Sequence, residues 1–410
     1  LIYDVCIVGG GASGLMAASY LSKRGQNVCL LEGTKELGKK LSLTGNGRCN
    51  ITNMYMRSSC FNSSDDSFVS KIFDVVPNER LLSILHEDGI STVDLDGYLY
   101  PRSLSAKSVV SALSRDRENL TVKYQAKVRE IEKVKDVFVL KGDRVSKDMD
   151  RPVLAEARAI ILSCGGASFP KTGSDGSGYK LLEKMGHKVS KILPALNSLG
   201  VKNYDSILSG VRFTADISLF IDDEAVATSH GEVQFTKTGL SGICIYEISS
   251  LASQALYDGK KVSVRLNYMG DFEDEELRSE LVYRSNNLKC SVKESLNTLF
   301  PDKLISHILN KLNINADLPC DELSSKQLDL IINVITKDDF LIESIDDFKT
   351  AQTTRGGVSL DEVTEHMESR LVSNMFITGE LLDCDGICGG YNLYLAFSSA
   401  ILASDRILNK

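Results

Sequence analysis

The chain has no dense run of lysine and arginine, no apolar stretch of bilayer length and no Cys-x-x-Cys pair. Each absence excludes something. Forty-seven basic residues against 55 acidic ones leave a net charge of −8, which argues against a surface built for the phosphates of nucleic acid. A membrane span needs about 20 consecutive apolar residues, whereas the apolar opening is broken at Gly9. That opening also lacks a basic flank, so no signal peptide is expected. The ten cysteines are scattered, which suits neither zinc nor a disulfide scaffold. Cys6, Cys29 and Cys164 fall in apolar runs, where a thiol behaves as a small buried group. There are only five histidines. His187 and His366 have no sequence partner suggesting a triad, so both are expected to be structural, and no metal site is expected. The economical expectation is a reduced, cytoplasmic protein.

What is present is concentrated at the two ends. Asp4-Val5-Cys6-Ile7-Val8 has the composition of a buried strand and runs into Gly9-Gly10-Gly11-Ala12-Ser13-Gly14. A helical segment follows to Lys23, Gly25 stops it, and Val28-Cys29-Leu30-Leu31 ends on Glu32. Strand, glycine turn, helix, strand and acid is the order that a dinucleotide site requires. Gly9 permits the tight turn, Gly11 lets the backbone approach a pyrophosphate, and Gly14 lets the helix pack closely on the strand. The free N–H groups and positive dipole end of the helix then face the phosphates. Glu32 stands where a carboxylate accepts from ribose hydroxyls.

Between the ends the texture changes. Gly38 to Asn53 crowds glycine, basic and amide residues into a ligand-hugging loop. Residues 66–90 have the period of two amphipathic helices split by Pro77. Gly97 to Ser103 suggests a hairpin edge, and Ser105 stands where it would cap a helix from Ala106 to Leu113. Lys141 to Arg151 suggests a turn between strands. Ala157 to Leu162 is a continuous apolar run ending in Ser163-Cys164-Gly165-Gly166, as a central parallel strand would. The later glycine-rich stretch, Lys171 to Gly178, lacks the GxGxxG order and does not suggest a separate nicotinamide domain. Short β-rich segments follow from Pro194 to about Tyr268, with Gly231 to Gly242 expected as a loop, and then a charged helical stretch to about Thr336. Val372 to Ile377 suggests a strand and Tyr394 to Leu408 a helix.

Gly9–Gly14, Gly45-Asn46-Gly47-Arg48-Cys49-Asn50-Ile51-Thr52-Asn53, Tyr100-Pro101-Arg102-Ser103, and Thr378-Gly379-Glu380 with Gly389-Gly390-Tyr391-Asn392-Leu393 together resemble a bacterial FAD flavoprotein family. Its members are described as NAD(P)/FAD-dependent oxidoreductases or aminoacetone-oxidase-like enzymes, with a clostridial bile-acid reductase among them. The resemblance covers essentially the whole chain. It implies an α/β fold: a Rossmann-like FAD domain of the two-dinucleotide-binding type, with an inserted β-barrel domain that itself carries helices. The boundaries expected are 1–192 with 350–410 for the FAD domain, 193–270 with 337–349 for the barrel, and 271–336 for the helical insert.

The same resemblance implies the cofactor contacts. Gly9, Gly11, Ala12, Ser13 and Gly14 would hold the pyrophosphate, and Glu32 with Gly33 the adenosine ribose. Val128 would meet the adenine through its backbone. Gly379, Glu380 and Asp383 would close on the ribityl chain and phosphates, while Gly390, Tyr391, Asn392 and Leu393 would set a helix N-terminus beside the flavin. Lys40, Gly47, Arg48, Cys49, Asn50, Ser163 and Gly165 complete the implied set.

The expected function is an FAD-dependent oxidoreductase using NAD(P)H transiently to reduce an activated C=C bond of a small or steroid-like molecule. An amine oxidase passing electrons to O₂ and a non-catalytic FAD redox sensor are the alternatives. Substrate-side candidates are Arg48, Asn50, Arg102, Lys237, Tyr391 and Asn392. Lys237 stands where many relatives carry histidine in a Phe-Thr-His loop, which puts that role in doubt here. Cys384 and Cys388 have the wrong spacing for a dithiol. No nucleic-acid or membrane partner is expected, and the sequence sets no oligomeric state.

Overall fold

The structure is a computed structural model and describes residues 1–143, 152–270 and 272–410. Residues 144–151 of the Lys141–Arg151 tract, and Asp271 at the start of the expected insert, lie outside the described residues. The fold is Rossmann-like with an inserted closed barrel. The chain divides into two compact units, Leu1–Pro194 with Phe348–Lys410, and Ala195–Asp347.

In the first unit, β1 (Ile2–Val8) leads through the glycine turn to α1 (Ala12–Lys23) and on to β2 (Val28–Leu31). All four residues of β2 and most of β1 are buried, as expected for strands covered on both faces. The sheet runs in the order Leu120–Lys123, β2, β1, Val153–Leu162, Val137–Asp143, Lys127–Val134. Val153–Leu162 pairs parallel with β1 along one flank. Its other flank is shared. The N-terminal half pairs antiparallel with Val137–Asp143, and the C-terminal end pairs parallel with Met375–Ile377. Val8, Leu31, Leu162 and Ile377 therefore end at one edge of the sheet, the edge where open α/β sheets bind ligands.

The strand expected from Val372 begins only at Met375, and the last helix begins at Tyr391 rather than Tyr394. Residues 66–87 do form two helices, Asp66–Val75 and Asn78–Glu87, separated at Pro77. Ser105 occupies the N-cap position of Ala106–Leu113, yet its side chain makes no capping hydrogen bond. Among the described residues no helix is long and apolar enough to cross a membrane.

His187 does have partners, 175 and 182 positions away. Its Nδ1 lies 2.9 Å from Glu362 Oε2 and its Nε2 2.9 Å from Ser369 Oγ. The order resembles a hydrolase triad, but Ser369 is buried and its oxygen already accepts from the N–H groups of Leu371 and Val372. The arrangement is a clasp. Burial pushes the His187 pKa down, more than the hydrogen bond and charge of Glu362 raise it. A histidine held neutral in the fold stabilises fully above its unfolded pKa of about 6.5, and that contribution is lost as pH falls through the folded value. Urea midpoints measured from pH 7.5 down to 5 should therefore fall in the native protein and fall less in His187→Asn. Parallel slopes would refute this.

The second unit is a closed barrel in the order Leu199–Val201, Gly239–Ser241, Glu224–Phe235, Arg212–Ile221, Val262–Asn267, Asp338–Ile345. Alternation fills it: Val262, Val264 and Leu266 are buried while their neighbours are partly exposed. The expected loop from Gly231 to Gly242 is mostly strand, because Val233 and Phe235 alternate inward and extend the long strand to Phe235. Only Thr236-Lys237-Thr238 and Gly242 fall outside strands. Helices Asp274–Asn287, Val292–Leu296, Asp302–Leu312 and Ser325–Thr336 lie between the fifth and sixth of these strands.

Candidate functional site

The glycine turn is fixed by contact. Gly9 has φ +103°, donates to Leu31 O at 2.8 Å, and a Cβ there would lie 2.4 Å from Ser163 O. A Cβ on Gly14 would lie 1.8 Å from Gly9 O, so α1 touches the turn directly. Gly11, at the N-cap of α1, is different: no described heavy atom lies within 4 Å of where its Cβ would stand. Backbone N–H groups at a helix start, beside open space, form an anion site.

Glu32 is buried and does more than the sequence implied. Its Oε2 accepts from Gly10 N at 2.9 Å and its Oε1 from Thr34 N at 2.6 Å, so the carboxylate braces the turn. Each oxygen keeps a lone pair for a ribose hydroxyl. Gly33 faces Lys127, next to Val128, which is buried and pairs with Gly142. The Lys171–Gly178 stretch also belongs here, since a Cβ on Gly173 would lie 3.0 Å from Thr34.

The other end of the chain closes on the same place. Ser163 Oγ meets Thr378 Oγ1 at 2.9 Å, Gly379 N donates to Ser399 Oγ at 2.9 Å, and a Cβ on Gly379 would lie 2.4 Å from Ser13 Oγ. Lys40 Nζ pairs with Glu380 Oε2 at 2.6 Å. Gly165 has φ +70° and packs on Ser174. Asp383 is largely buried, which raises its pKa against the lowering effects of Ser190 and Arg355. The helix Tyr391–Leu408 starts on Gly390 at φ +94°, where a Cβ would lie 2.8 Å from Thr52 backbone. Ser399 is nine residues beyond Gly390, about 13 Å along the helix. The two helix N-termini thus mark the two ends of an elongated site.

Several candidate side chains turn out to be occupied. Tyr391 is buried, donates to Tyr55 O at 3.1 Å and packs edge-on against Phe61. Asn392 donates to Gly386 O at 2.7 Å and accepts from Gly386 N at 2.9 Å, so it caps its own loop. Leu393 is half-buried against the core. Cys49 is buried, which pushes its thiol up to about 12, and only its backbone can serve a ligand. Arg48 and Arg102 are exposed. In the second unit, Lys237 is exposed on a turn that Thr236 Oγ1 holds through Thr238 N and Gly239 N. None of the ten cysteines is in a disulfide, and burial raises the pKa of Cys384 far above the ordinary range.

One functional stretch escaped the sequence reading. Thr353-Thr354-Arg355-Gly356-Gly357-Val358 presses on the Glu380–Asp383 segment: a Cβ on Gly357 would lie 2.5 Å from the Leu382 carbonyl carbon, and Val358 N donates to Leu381 O at 2.8 Å. The Gly-Gly doublet was the available signal.

The profile of the HI0933-like protein Rossmann domain matches residues 3–406. The chain belongs to this family. It is 36% identical over 407 residues to the 3-dehydro-bile acid delta(4,6)-reductase of Clostridium scindens, covering 97% of each chain. It is 26% identical over 417 residues to the ribosomal RNA dihydrouridine synthase of Escherichia coli, covering 100% of this chain and 99% of the other. Among solved structures, a 3-ketosteroid delta1-dehydrogenase from Sterolibacterium denitrificans aligns over 100% of both chains with a TM-score of 0.50. At 10% identity that likeness shows the fold alone.

As an HI0933-like Rossmann protein the chain is an FAD-dependent oxidoreductase, and its residues suit that cofactor. Gly11 and Gly47 leave open space where a side chain would stand. Asn50 Oδ1 is buried with no hydrogen-bond partner among the described residues. A buried acceptor left unmatched is costly, so a ligand donor is called for. FAD brings an anion for the α1 N-terminus and N–H and hydroxyl donors for the far end.

Proposed function

We propose that this protein reduces an activated C=C bond of a small, steroid-like organic substrate, taking electrons transiently from NAD(P)H. The observation that carries this reading is the end-to-end likeness at 36% identity to a protein named as a bile-acid delta(4,6)-reductase. FAD, when bound, would supply the hydride chemistry. Saturating the double bond also needs a proton.

The chain's own part is placement. The turn Gly9–Gly14 and the α1 N-terminus bind the pyrophosphate, and Glu32 takes the ribose. Lys40 pairs with the partly buried Glu380 carboxylate and offsets its charge. The N-terminus of Tyr391–Leu408 would offer its free N–H groups to an electron-rich edge of the cofactor. The carbonyl and amide contacts of Asn392 and Asn53 keep Gly386 and Gly389 still.

A second reading has support of its own. The dihydrouridine synthase likeness spans the whole chain, and making dihydrouridine also saturates a C=C bond. Against it stands the excess of acidic residues, since RNA affinity rests on neutralising phosphates.

The test is anaerobic. FAD-loaded protein is mixed with NADH and with NADPH, then with a 3-oxo-Δ4 steroid or a uridine-containing RNA. Flavin bleaching by a nicotinamide and a steroid product heavier by two hydrogens are expected. A flavin that stays oxidised with both nicotinamides overturns the reading. Peroxide formation with an aminoketone, assayed separately in air so that O₂ is the acceptor, would instead make the protein an amine oxidase.

A further inference from the structure

Thr354 belongs to none of the cofactor contacts named above, yet its hydroxyl sits among four partners. Oγ1 lies 2.8 Å from Ala167 N, 3.2 Å from Ser168 N, 2.9 Å from Ser168 Oγ and 2.9 Å from Glu380 Oε1. The residue is 1% exposed. Gly166 shows how tight the fit is, because a Cβ there would lie 2.4 Å from Thr354 Oγ1 and 2.7 Å from Glu380 Oε1. Glu380 is held from two further sides, by Lys40 on Oε2 and by Tyr179, whose hydroxyl donates to the Glu380 carbonyl at 2.8 Å.

We propose that Thr354 is a positioning residue for the cofactor, an inference that rests on FAD occupying this site. A hydroxyl has one proton and two lone pairs. The proton goes to the carboxylate, the stronger kind of hydrogen bond because one partner is charged. The lone pairs take the N–H groups of the turn that follows Val153–Leu162. One oxygen thereby locks the Gly165–Ser168 turn to the Glu380 carboxylate, joining two segments that lie 212 positions apart between Ser168 and Glu380. Without it, the N–H groups of Ala167 and the buried Ser168 lose this acceptor and Lys40 alone sets where the carboxylate points. A valine keeps the shape and removes the hydroxyl, whereas a serine keeps the hydroxyl.

The experiment titrates FAD into flavin-stripped full-length protein for the native chain, Thr354→Val, Thr354→Ser, Glu380→Gln and the Thr354→Val/Glu380→Gln double variant. Thr354→Val should weaken FAD about tenfold or more, as losing a hydrogen bond to a charged group does. Thr354→Ser should bind within about threefold of the native chain, and the loss in the double variant should fall short of the sum of the two single losses, since the two residues share one hydrogen bond. Thr354→Val binding within about twofold of native overturns the proposal. So does a lowered unfolding temperature of the stripped protein with FAD affinity unchanged, or strict additivity in the cycle. If Thr354→Val does not fold, hydrogen exchange on the native chain decides. FAD should slow exchange at Ala167 and Ser168, and unchanged exchange there overturns the proposal. A native chain that binds no FAD sinks the functional reading itself, an outcome distinct from all of these.

Discussion

Gly14→Ala is expected to unseat α1 and leave the protein without cofactor, while Gly11→Ala, three residues earlier, costs cofactor alone. The new methyl at position 14 would stand 1.8 Å from Gly9 O and 3.0 Å from Gly9 C. Neither side can yield cheaply. Gly9 is held by Leu31 O through its own N–H and lies against Ser163 O. α1 is buried over ten of its twelve residues. Overpacking of this kind costs about 1–3 kcal/mol and sometimes more. The gain of about 1 kcal/mol in helix propensity for alanine over glycine offsets only part of it. At Gly11 the same methyl meets nothing, and φ −82° suits any residue. It occupies the space a pyrophosphate needs. Unfolding midpoints and bound flavin, measured on both variants, give the check. Equal stability loss in the two, or full flavin in either, would refute the assignment.

The second large effect is expected at Asp338, buried in the other unit. Its Oδ2 accepts from Tyr268 OH at 2.6 Å and meets His307 Nε2 at 3.1 Å, while Oδ1 takes Lys311 Nζ. His307 Nδ1 reaches Asp205 Oδ2 at 2.9 Å, and its ring stacks on Phe340. Lys311 and the His307 ring thus face two carboxylates, and burial and Asp338 push the Tyr268 pKa up. Asp338→Ala leaves His307 and Lys311 without their shared anion, and breaking one side of a buried pair costs about 3–5 kcal/mol. Asp338→Asn keeps the shape and should cost less.

The pH dependence runs opposite to that of His187. Burial opposes the charge on His307, but Asp338 and Asp205 outweigh it and raise its pKa. A raised histidine pKa contributes fully below the unfolded value of about 6.5, and the contribution is lost as pH rises through the folded value. Urea midpoints should therefore fall above neutrality in the native chain, with that fall flattened in His307→Gln. An unchanged alkaline slope in His307→Gln would count against the network.

How much of this could be read without the fold depends on locality. The opening turn was legible because its pattern of strand, glycines, helix and Glu32 lies within one short stretch of chain, although the packing of Gly9 on Ser163 was not. The helices around Pro77 and the long apolar strand were legible for the same reason. Tyr391 was not, because the atom it touches depends on Tyr55 arriving beside it from 336 positions away. The true start of the last helix was missed because its N-cap is set by Gly390 packing on Thr52, a contact across 338 positions. Gly231–Gly242 misled because glycine and threonine crowd there, while the inward alternation of Val233 and Phe235 has meaning only once the barrel closes.

The sequence by itself determined that an α/β dinucleotide turn opens the chain and that its far end carries matching glycine loops, since both are local backbone requirements. Only the tertiary structure decided that the two ends meet on one strand. It was also the tertiary structure that set Thr354 over Glu380, left Asn50 Oδ1 without a hydrogen-bond partner among the described residues, and shifted His187 and His307 in opposite directions. Those are properties of side chains brought together from distant positions in a low-dielectric interior, where pairing and burial, rather than residue type, set the energy.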